Sequence, residues 1–95
     1  EFNGAVCADL YKEILTQGMG INAMKFTDEE AVKTLCEKVR DLSEAVGITQ
    51  TVKDVGAKKK DFAMLADKAM EDPCKPGNPR EVTKQDFIDL YEKAW

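Results

Sequence analysis

Thr27 is followed three residues later by Glu30, and then by an apolar stripe at Val32, Leu35, Cys36, Val39, Leu42 and Val46. Threonine can cap a helix through its hydroxyl, and a glutamate at the third helical position can reach back to the cap. Apolar residues at intervals of three and four then define an amphipathic α-helix and not a strand. Asp28, Glu29 and Glu30 place negative charge at the positive end of the helix dipole. Asp41 and Glu44 face outward with Lys33, Glu37 and Arg40. Gly47 is the expected stop. So long a stripe must bury itself against something, and the chain has to provide the partner.

The partners are also helical. Ala5 to about Thr16 carries Cys7, Leu10, Tyr11, Ile14 and Leu15 at helical spacing, with Asp9, Lys12 and Glu13 opposite. Gln17-Gly18-Met19-Gly20 is expected to end this helix, and Ile21 to Phe26 reads as a connection. Ile48 to Gly56 is a second connection with one helical turn at Val52 to Val55. A third helix from about Lys60 to Glu71 presents Phe62, Leu65, Ala66, Ala69 and Met70, and Asp72-Pro73 stops it. Thr83 and Asp86 repeat the capping pattern before a last helix, whose inner face is Phe87, Leu90, Tyr91 and Ala94. Tyr91 and Trp95 read as core anchors. No stretch alternates in the manner of a strand. The expected fold class is all-α, about four helices with a rigid Pro/Gly loop.

That loop is Cys74-Lys75-Pro76-Gly77-Asn78-Pro79-Arg80. Its prolines and glycine exclude it from helix interiors and central strands and make it stiff.

Composition narrows the chemistry. There is no histidine, which removes the commonest metal ligand and the commonest general base near neutral pH. No Ser/His/Asp or Cys/His set can therefore be assembled. Cys7, Cys36 and Cys74 are odd in number and form no CxxC pair, which excludes a zinc ribbon or a thioredoxin-type motif. They fit reduced thiols in a cytoplasmic protein. No glycine-rich loop opens a helix after a strand, so no phosphate cradle is visible. The net charge is −4 and the one basic cluster is Lys58-Lys59-Lys60, read as a solvated helix start. This is no electrostatic footprint for nucleic acid. No apolar run is long enough to cross a membrane as a helix. These features describe a helical domain and name no activity.

A resemblance takes the reading further. Asp54-Val55-Gly56, then a helix, then Asp72-Pro73-Cys74-Lys75-Pro76-Gly77-Asn78-Pro79-Arg80-Glu81-Val82-Thr83 is similar to the closing region of the iron-containing alcohol dehydrogenases. That family has a D-x-C-x-x-G-N-P-R stretch, then a Thr-capped helix finishing in L-Y-x-x-A-W. Leu90-Tyr91-Glu92-Lys93-Ala94-Trp95 matches that ending, and Glu1-Phe2-Asn3 resembles the residues that follow the family's metal-binding helices. The resemblance spans Phe2 to Trp95. The loop and terminus are its specific parts, and the helix between Ala31 and Val46 is generic.

The resemblance implies that residues 1–95 are part of the helical, metal-binding-side domain of a two-domain enzyme, with the nucleotide-binding domain absent from this chain. It implies Fe²⁺ or another divalent ion, NAD(P), and interconversion of primary alcohols or diols with aldehydes by hydride transfer. The family's metal ligands, one Asp and three His, would all lie upstream. No metal ligand, catalytic residue or cofactor is therefore expected in the chain, which should be inactive by itself. Cys74 matches the cysteine that lines the substrate and nicotinamide pocket in relatives. It would be a pocket wall and not a nucleophile, and the plainer alternative is a buried packing cysteine. Lys75-Pro76 stands where relatives carry Thr-Gly, and the proline removes a backbone donor there. Asn78 and Arg80 are expected to position the loop.

Two rival readings belong to other classes. A stand-alone helical interaction module is compatible with length and composition, and only the loop motif argues against it. An acyl-carrier-like bundle would need a serine at a helix start, whereas Ser43 sits late in the Thr27-capped helix. The expected partners are the rest of the same polypeptide and, through apolar faces left uncovered, further copies of this chain.

Overall fold

The computed structural model describes Glu1–Trp95 in full. Every regular element is helical, and there is no strand. The chain divides into two units, Glu1–Ile48 and Thr49–Trp95.

The first unit pairs α1 (Gly4–Glu13) with α2 (Asp28–Ala45). The Thr27 cap forms in full. The Glu30 N–H donates to Thr27 Oγ1 at 3.2 Å, and the Thr27 N–H donates to Glu30 Oε2 at 2.8 Å. Two of the donors that a helix start leaves unpaired are thus satisfied by two side chains. Gly47 ends the helix with φ 82°, a region open to glycine at no steric cost. Leu15, Ala23, Ala31 and Leu35 form the core, with Tyr11, Ile21 and Phe26 packed against it. Burying one leucine such as Leu15 contributes about 1.5–3 kcal/mol. Lys12 Nζ bonds Asp28 Oδ1 at 2.6 Å, linking α1 to the start of α2. Burial raises the Tyr11 hydroxyl above its ordinary pKa, and the thiols of Cys7 and Cys36 add to the shift.

The expectations for this unit are met in part. The first helix does end within Gln17-Gly18-Met19-Gly20, but it reaches that point through a π-helical turn, Ile14–Gly18. Of the two glycines, Gly20 takes the positive φ, at 69°. The Ile21 N–H donates to the Leu15 carbonyl, and the Ala23 N–H donates to Thr16 Oγ1, so contacts beyond the helix hold the wide turn. Ala23–Lys25 inside the expected connection is a 3-10 turn. Of the expected inner face of α1, Cys7 and Leu15 are buried and Tyr11 half-buried, but Leu10 and Ile14 are 58% and 47% exposed. Likewise only Val32, Leu35 and Cys36 of the α2 stripe are covered; Val39, Leu42 and Val46 are exposed.

The second unit pairs α3 (Phe62–Met70) with α4 (Lys84–Ala94). Val52 to Gly56 forms a hydrogen-bonded turn. The Thr51 N–H and hydroxyl both donate to Asp54 Oδ2, and these bonds hold the Asp54 carboxyl below its usual pKa. The helix expected from about Lys60 opens with a 3-10 turn, Lys59–Asp61, and α3 proper follows from Phe62. Phe62, Ala66 and Val82 are buried, and the Phe62 and Tyr91 rings lie 5.7 Å apart. The ammonium groups of Lys53 and Lys59 stand 4.6 Å and 4.3 Å from the centre of the Trp95 ring. Lys59 therefore does more than solvate a helix start. Ala94, expected inside, is exposed. Its carbonyl accepts from the Val52 N–H at 3.1 Å, so its backbone is what anchors the end of α4.

Candidate functional site

The segment between α3 and α4 concentrates the unusual sequence. It begins with a side-chain turn: Asp72 Oδ1 accepts from the Cys74 N–H at 2.7 Å, across Pro73. Aspartate favours this bond because its carboxylate mimics a backbone carbonyl two residues back. Lys75–Gly77 then forms one 3-10 turn. The expected absence of helix there is corrected to that extent, because Pro76 sits inside the turn where no donor is required of it. The Lys75, Gly77 and Asn78 N–H groups donate to the carbonyls of Asp72, Cys74 and Lys75 at 3.0–3.1 Å.

Asn78 closes the second half. Its side-chain Nδ2 donates to the Arg80 carbonyl at 2.7 Å, bridging Pro79. The loop is thus tied at each end by a polar side chain that spans a proline. Thr83 and Asp86 complete the capping box that starts α4. The Asp86 carboxyl is held below its ordinary pKa first by the Thr83 hydroxyl, then by the Thr83 N–H, with the Arg80 charge adding to the effect. Lys84 Nζ meets Asp67 Oδ1 at 2.6 Å and links α4 to α3.

A hollow of about 320 Å³ opens over this loop, lined by Lys75, Pro76 and Asn78 through Val82. Asn78 and Arg80 therefore lie together on its wall. Cys74 is exposed and outside that lining, one residue away. Within these 95 residues no side chain covers it. A second hollow, about 540 Å³, lies in the first unit beside Gly4, Asp28, Val32, Cys36 and Arg40. It gathers charges of both signs, and Asp28 is already committed to Lys12. No group of three Cys, Asp or Glu side chains converges as a metal-binding set. No helix is long and apolar enough to cross a membrane. The site is a stiff, hydrogen-bonded wall that presents two cations and an amide, with the Cys74 thiol beside it; it contains no nucleophile–base pair.

An all-helical chain with this loop defines a class. Residues 1–95 match the Fe-containing alcohol dehydrogenase family, C-terminal, and the chain belongs to that family. It is 37% identical to the lactaldehyde reductase of Escherichia coli over 94 residues, 99% of this chain and 24% of that protein. It is 33% identical to the probable alcohol dehydrogenase EutG of Salmonella typhimurium, over 98% of this chain and 22% of that one. An alcohol dehydrogenase from Oenococcus oeni superposes with a TM-score of 0.87 at 32% identity, over 99% of this chain and 24% of that chain. The chain spans about a quarter of the length of these relatives.

Proposed function

We propose that this chain is the C-terminal part of the helical domain of a longer iron-dependent alcohol dehydrogenase. That enzyme interconverts primary alcohols or diols with aldehydes using NAD(P). The observation that carries the reading is the match along all 95 residues to a family whose members are about four times as long. The rest of the polypeptide supplies the nucleotide-binding domain and the metal ligands. A divalent ion held there would supply Lewis-acid polarisation of the alcohol oxygen, and NAD(P) would supply the hydride acceptor.

Within this division of labour, the chain's own residues shape and dry the pocket. Cys74 forms part of the wall facing substrate and nicotinamide. Its role is steric, since no base lies within the loop to activate it. Asn78 holds the loop through the Arg80 carbonyl, and Arg80 steadies the start of α4 beside Asp86. Both position Cys74 and do not touch the reacting atoms. A loop locked on a rigid frame keeps such a wall within the fractions of an ångström that hydride transfer demands.

Metal titration tests the reading. The chain extended upstream should bind Fe²⁺ at one ion per polypeptide, and the 95-residue chain should bind none tightly. Stoichiometric binding by the short chain, or no binding by the extended one, would contradict it.

A further inference from the structure

We infer that the outward face of α1 and the π turn that continues it, formed by Val6, Leu10 and Ile14, is the seat of polypeptide that precedes Glu1 in the longer enzyme; this rests on the reading just given. The inward residues Cys7, Tyr11 and Leu15 and the outward residues Val6, Leu10 and Ile14 adjoin each other around the helix. Polar residues occupy only the strip of Asp9, Lys12, Glu13 and Thr16. At about 100° per residue the apolar arc spans roughly 200°, twice what a helix with one partner needs. The contact with α2 covers part of the arc. The remainder stays open, with Val6 and Leu10 56% and 58% exposed. A helix patterned in this way belongs between two layers, and one layer is missing.

The size of the face argues against a second copy as its occupant. Three half-exposed aliphatic side chains offer at most a few hundred Å² of apolar surface. A stable complex buries about 800 Å² on each partner. A covalently attached segment escapes the association cost that so small a patch cannot overcome. The relatives have three quarters of their length outside the matched region, and that region is the family's C-terminal part. Ample polypeptide is therefore at hand on the N-terminal side.

Thiol labelling of a Leu10→Cys variant tests this in the 95-residue chain and in the chain extended upstream. Fragmentation mass spectrometry places the label at the substituted position, apart from the buried Cys7 in the same peptide and from the peptides holding Cys36 and Cys74. Val6→Cys serves as a second probe where Leu10→Cys disturbs helicity. Labelling should be fast in the short chain and slower by about 100-fold or more in the extended one, the protection expected of packed helix faces. Equal rates would overturn the inference. So would protection already present in the short chain, whether concentration-dependent, which would mean a second copy, or not. Dehydrogenase activity of the extended chain is read in parallel. An active but unprotected protein defeats this inference alone; a protected but inactive one defeats the functional reading alone.

Discussion

Gly4 meets Val32 so closely that a Cβ added to the glycine would lie 2.7 Å from Val32 Cγ1 and 2.8 Å from Cγ2. A β-branched side chain in a helix holds essentially one rotamer, so Val32 cannot swing aside. The contact of α1 and α2 is set at this point by the absence of one methyl group.

Gly4→Ala should therefore destabilise the first unit. Alanine gains up to about 1 kcal/mol of helix propensity over glycine, and less at a first helical position. Overpacking costs about 1–3 kcal/mol, so the net effect is a loss of about 1 kcal/mol. Val32→Ala in the same chain should restore most of it. Urea unfolding of the two single variants and the double variant measures the coupling; additive losses would show that the two residues do not press on each other.

Thr27→Ala should cost about 1 kcal/mol, because it leaves the Glu30 N–H without its acceptor. Thr83→Ala should cost a similar amount in the second unit. Thermal unfolding followed by circular dichroism reads both.

Acid should weaken the second unit through its two capping aspartates. Asp86 and Asp54 have folded pKa values depressed by their threonine hydrogen bonds. The stability they contribute is complete above the unfolded carboxylate's pKa of about 4 and is lost as pH falls through the lower folded values. Asp86→Asn should flatten the profile below about pH 4. In the first unit the sign is opposite. The hydrogen bond to Asp28 raises Lys12, so its contribution persists below a pKa of about 10.4 and fades as pH climbs past the raised folded value. A denaturation midpoint that is flat from pH 2 to neutrality would refute the carboxylate account.

Trp95 is the only tryptophan, which makes its surroundings easy to read. Lys59→Ala and Lys53→Ala each remove one ammonium from its ring and should cost about 0.5–1 kcal/mol. Both should alter the tryptophan emission. Unchanged spectra in both would dissolve the contact.

Much of this was legible because it is local. The Thr27–Glu30 and Thr83–Asp86 boxes, the Gly47 stop and the break at Asp72-Pro73 need only neighbouring residues, and each stands where the spacing put it. The π turn at Ile14–Gly18 was not legible, since bonds from Ile21 and Ala23 sustain it and Gly18 alone suggests an ending. Periodicity also overstated burial. It marks which residues share a face, but not whether this chain covers them, as Leu10, Val39 and Leu42 show. At the loop, the prolines announced rigidity. The pairing of Asp72 with the Cys74 N–H, and of Asn78 with the Arg80 carbonyl, required the folded geometry. Lys59 above Trp95 had no sequence signal beyond a charge run.

The central claim is tested most directly by NAD(P)H-linked alcohol oxidation with two proteins side by side, this chain and the chain extended upstream, both supplied with Fe²⁺. The account predicts turnover by the extended protein and none by the 95-residue chain. Activity in neither, from an extension that lacks metal ligands, would contradict it and leave a helical interaction domain as the better description.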